Sequence, residues 1–110
     1  MSNKREEILN ILKTYKNEYI DIRIKLIDYL NRDEFKKNVE LNELTHIKLY
    51  EINKIIAGFE KNIKNLENDN VFKSNEERIY DFFNNKFLEK LKEIIINVKY
   101  QISVIENNIN

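Results

Sequence analysis

The sequence predicts an all-α fold: one domain over 1–110, built as an antiparallel up-down-up bundle of three long, coiled-coil-like helices. Three observations point there. Pro is absent and Gly occurs once, so β-hairpin turns lack their usual residues. Apolar side chains recur at alternating steps of four and three, the spacing of a helix that buries one stripe. Two clusters of turn-forming residues, Asn31-Arg32-Asp33 and Asn68-Asp69-Asn70, separate the periodic stretches. Helices are expected over about 4–30, 34–67 and 75–108.

In the first helix, Ile8, Leu12, Tyr15, Tyr19, Ile22, Leu26 and Tyr29 form the stripe, and Ile20, Ile24 and Ile27 widen it. A wide stripe suits a helix with two neighbours. Asn3 and Glu6 have the spacing of a capping box. Asn31 is the expected left-handed residue of the first turn, and Asp33 the cap of the second helix. The second stripe reads Phe35, Val39, Asn42, His46, Leu49, Ile52, Ile56, Phe59, Ile63 and Leu66. Asn42 and His46 are polar, which is read as a polar layer in one continuous helix rather than an interruption near 40–43. Gly58 marks a bend or a close backbone approach. Ser74 and Glu77 form a second capping box, opening a helix whose seam is Leu91, Ile95, Val98, Ile102, Ile105 and Ile109.

The charge count excludes several functions. Nineteen basic and nineteen acidic residues give a formal net charge of zero, and no third of the chain is a basic arm or an acidic tail. A nucleic-acid binder normally shows a basic stripe, so nucleic acid is a disfavoured partner. Cys is absent, so there is no thiolate metal site and no disulfide. The charged N-terminus is not a secretory signal, and the longest aliphatic run, Ile94-Ile95-Ile96, is far too short to span a bilayer. A cytoplasmic protein without a membrane partner is expected.

Chemistry is sparse. Glu43 and His46 have the Glu-x-x-His spacing of bundle di-iron sites. The chain holds one His, so a dimeric metal enzyme is the weakest reading, and no metal or cofactor is expected. There is no Gly-rich phosphate loop and no nucleophile–base order, so the chain is read as non-enzymatic. Lys36-Lys37, Lys61-Lys64 and Lys86-Lys90 are local basic pairs, balanced along the helices by Asp33 and Glu60.

Ile79, Tyr80, Phe82, Phe83 and Phe87 are the candidate partner-binding residues. Phe82 and Phe83 point about 100° apart on a helix, so with Tyr80 they cover more arc than one seam needs. They either plug the end of the bundle or present an aromatic surface to another protein. Ile94 to Ile96 pose the same question, answered by the isoleucines of the first helix or by a second copy. The reading is a protein–protein interaction module, an adaptor or inhibitor that also homodimerises. A phage- or plasmid-encoded inhibitor of a bacterial system is its concrete form, and a nucleic-acid-associated regulator is the alternative.

Overall fold

The computed structural model describes residues 4–108. Among them the chain is all-helical, with no strand. Helix α1 spans Lys4–Leu30, α2 Asp33–Lys37, α3 Val39–Glu67, α4 Asp69–Phe82 and α5 Leu88–Asn107, with a π-helical turn, Phe83–Phe87, between α4 and α5. The molecule is a rod of 56 × 22 × 17 Å.

α1 buries Ile8, Leu9, Leu12, Tyr19, Ile22, Leu26 and Tyr29. α3 lies along one flank in the opposite direction. Lys16 meets Glu60 at 3.7 Å, Arg23 Nη1 donates to Asn53 Oδ1 at 3.4 Å, and the Tyr15 ring lies parallel to Phe59 with centroids 6.5 Å apart. The α4–α5 segment follows α1 in the same direction. Lys4 pairs with Glu77, Tyr80 Oη donates to Glu7 Oε2 at 2.7 Å, Lys99 meets Glu18 at 3.6 Å, and Tyr29 Oη donates to Glu106 Oε2 at 2.5 Å. Exposed ion pairs add little stability, but each of these fixes a register.

The first turn differs from the expected one. Asn31 is not left-handed, because no described residue has positive φ. The turn closes instead through Asn31 N–H on Asp28 O and Arg32 N–H on Tyr29 O, at 3.1 and 3.0 Å. Arg32 rather than Asp33 takes the N-cap position.

The second helix is not continuous. Asn38 adopts an extended conformation, φ −104 and ψ 100, and its side chain caps α3 by accepting from Leu41 N–H at 3.1 Å. The break lets Phe35 fold back, fully buried, against Tyr29 with ring centroids 5.7 Å apart. It also resets the phase of α3. The buried residues are Leu41, Thr45, Ile52, Ile56, Phe59 and Ile63, while Val39 is 68% exposed and His46 is exposed. The polar core residue is therefore Thr45, whose hydroxyl donates to Leu41 O at 2.7 Å; among the described residues no buried side-chain polar atom is unpaired.

The second turn is shorter than expected. Asn68 alone is extended, φ −77 and ψ 105, and α4 starts at Asp69 instead of 75. Asn75 departs from helical geometry inside α4, φ −136 and ψ 22. Glu77, read as the partner of a Ser74 cap, pairs with Lys4. The α5 seam buries Leu91, Ile95, Ile102 and Ile105. Asn3 and Ile109 lie outside the described residues.

Gly58 faces open space: a Cβ there would meet nothing within 4 Å, so the close-approach reading does not hold. Gly58→Ala should therefore stabilise the fold by about 1 kcal/mol, read from urea unfolding. Burial raises the phenols of Tyr19 and Tyr29 to about 12, with the Glu106 hydrogen bond adding at Tyr29. A raised folded-state pKa gives stability that is complete below the free-phenol value and lost as pH climbs through the folded value. Unfolding should steepen between pH 10 and 12, and Tyr29→Phe should flatten that limb in chemical-denaturation curves.

Candidate functional site: an apolar cleft at a π-helical turn

Phe72 and Phe83 are buried and Ile79 half-buried on one face of α4 and the turn, and Leu91, Ile95, Ile102 and Ile105 are buried on one face of α5. Phe83 to Leu91 is eight residues, one more than a heptad step. A continuous α-helix would swing one of these faces out of the core. The π turn absorbs the extra residue: Leu88 N–H donates to Phe83 O, an i→i+5 bond. It also lays residues five apart over one another. The Phe87 ring sits 6.2 Å from Phe82 and 5.8 Å from Phe83, both tilted.

The five sequence-predicted residues part company here. Phe83 is 4% exposed and Phe82 56%, while Ile79, Tyr80 and Phe87 are half-buried. Ile79, Phe82, Phe83 and Phe87, with Ile8 and Leu12 of α1 and Leu66 of α3, line an apolar cleft of about 230 Å³. Asn62 and Asn65 of α3 complete its wall. Tyr80 lies elsewhere, turned to α1, where its bond to Glu7 raises the phenol and Lys4 sits 5.2 Å over the ring.

Charge around the cleft is one-sided. One acid of α3 and one of α4 pair with α1. Glu60 meets Lys16 instead of the expected Lys64. Glu77 raises the Lys4 ammonium through their hydrogen bond; desolvation opposes this, and the charges of Glu76 and Asp81 add to the rise. On the outer side Arg78 and Lys86 stand four residues before and after Phe82, and Lys90 one turn further. Lys61 stands one turn before Asn65. All four are exposed, and among the described residues none lies within ion-pair distance of an acid.

Other sequence candidates do not assemble. Glu43 and His46 are both exposed, and no three His, Asp or Glu among the described residues come close enough to share a metal ion. No described helix is long and apolar enough to cross a membrane. The π turn and the basic row escape a reading by single seams. The signals for them were present: the eight-residue step from Phe83 to Leu91, and Arg78, Phe82, Lys86 and Lys90 at steps of four. No protein-family model, curated protein or solved structure matches the chain.

Phe83→Ala should cost about 3–5 kcal/mol of stability, as for other buried phenylalanines. Phe82→Ala should cost less than about 1 kcal/mol, since its ring faces the cleft mouth. Paired urea melts check the contrast.

Proposed function

We propose that this chain is a non-enzymatic protein–protein interaction module, an adaptor or inhibitor working as an up-down-up three-helix bundle that docks a protein partner at the Phe82 cleft. The observation that carries this is the cleft itself. A well-packed floor at Phe83 and a half-exposed ring at Phe82 resemble the aromatic anchor sites that dominate protein interfaces. The cleft is small beside the roughly 300–1,000 Å³ of small-molecule pockets, and suits one or two partner side chains. Cytoplasmic action, including inhibition of a bacterial system by a phage or plasmid product, is compatible with this reading.

A second copy is the second reading, favoured by the outer face of α5. Between Ile96 and Asn108 the only charges are Lys99 and Glu106, and both face α1, on Glu18 and Tyr29. Ile96, Tyr100 and Val104, spaced by four, are 68, 67 and 41% exposed. Such an uncharged apolar row suits a symmetric contact.

Affinity capture from the native host with mass spectrometry tests the first reading. Phe82→Asp should lose a partner that the unmodified chain retains, with helicity by circular dichroism unchanged; a partner held equally by both would remove the cleft from the interface. For the second reading, sedimentation equilibrium should show a dimer that Tyr100→Glu converts to monomer. A monomer at all concentrations would end it.

A further inference from the structure

The charges around the cleft contain a selection rule for its occupant. Arg78, Lys86 and Lys90 stand along one edge over twelve residues, roughly 18 Å at 1.5 Å per residue. Lys61 stands on the opposite wall, beyond Asn65 and Asn62. Of the neighbouring acids, Glu77 pairs with Lys4 and Glu60 with Lys16 of α1, and Glu89 lies 3.9 Å from Lys92. A chain with zero net charge thus sets beside its apolar cleft four exposed cations that, among the described residues, pair with no acid.

From this we infer that the cleft receives an acidic amphipathic helix of a partner protein: one or two large apolar side chains enter between Phe82, Phe87 and Leu66, and Asp or Glu residues on either side of them face Arg78, Lys86, Lys90 and Lys61. The inference rests on the docking reading above and adds the chemistry of the partner. The length of the basic row matches about three turns of helix, far more than a compact ligand covers. Helix-in-groove recognition uses anchors at i, i+3, i+4 and i+7, which fits a short apolar well with a long charged rim. Two other anionic surfaces fit less well. Membrane insertion needs apolar side chains that project, whereas Phe83 is buried and Ile79 and Phe87 are half-buried in a hollow. Single-stranded nucleic acid needs several exposed rings for stacking, and Phe82 is the exposed ring here.

The test uses the full chain and two synthetic amphipathic helices of about 18 residues, the length of five turns. Both carry Leu and Phe at i, i+3, i+4 and i+7; one carries Glu at its flanking positions and the other Lys. Fluorescence anisotropy should show the Glu peptide binding, more weakly as salt rises, and the Lys peptide not binding. Complementary rim charges act mainly on association rate and salt dependence. Reversing the rim with Arg78→Glu, Lys86→Glu and Lys90→Glu, all exposed positions, should weaken the Glu peptide by about tenfold or more and admit the Lys peptide. Phe82→Asp should abolish binding of either. Equal affinity for both peptides, lost in Phe82→Asp, would overturn the acidic preference and leave the cleft as a docking site. Binding of the Glu peptide unaffected by Phe82→Asp would overturn the docking reading as well. No binding of the Glu peptide at low salt overturns the inference, as does preferential binding of phosphatidylserine vesicles or an oligonucleotide that the Glu peptide cannot displace.

Discussion

Phe83 and Leu91 must face the same core, and eight residues separate them. That mismatch of one residue with the heptad step governs the third of the molecule that carries the candidate site. An uninterrupted α-helix could bury the aromatic face of α4 or the aliphatic face of α5, but not both, and either choice would expose several large side chains at about 1.5–3 kcal/mol each. One π turn resolves the conflict locally. Its wider winding gathers Phe82, Phe83 and Phe87 into a single group. The cleft is thus a by-product of keeping two seams in register.

The other end of the molecule solves a similar problem differently. Phe35 and Leu41 cannot both be buried on one straight helix that also buries Ile52 and Ile56. The chain breaks at Asn38, whose side chain replaces a lost backbone partner by capping α3. Phe35 then closes the core against Tyr29, and Tyr29 in turn reaches Glu106 of α5. A short polar side chain at the break serves where Pro or Gly would be usual, consistent with a chain that has none of the first and one of the second.

Charge is sorted by the fold rather than by the sequence. Along the chain, acids and bases alternate closely enough to look like solvated helix faces. In three dimensions, Glu60 meets Lys16 and Glu77 meets Lys4, both lysines of α1. Lys61 and Arg78 are exposed, and with Lys86 and Lys90 they stand beside the aromatics without an ion pair among the described residues. The isoleucines of α1 do not absorb the excess at 94–96 either: Ile24, Ile94 and Ile96 are 60, 45 and 68% exposed. These faces are what the proposed contacts use.

The sequence by itself determined the helical class, the first helix and the α5 seam, because a stripe repeated over several turns has only one periodic solution and few residues here can end a helix. It also singled out the aromatic group at 79–87. It could not decide which way Phe82 and Phe83 point, whether Val39 or Leu41 is buried, or which acid each lysine meets. Those depend on the phase of one helix against another. A single extended residue at Asn38 or a single wide turn at Phe83–Phe87 rotates every side chain beyond it, and only the packing of the whole core selects where such a shift is taken.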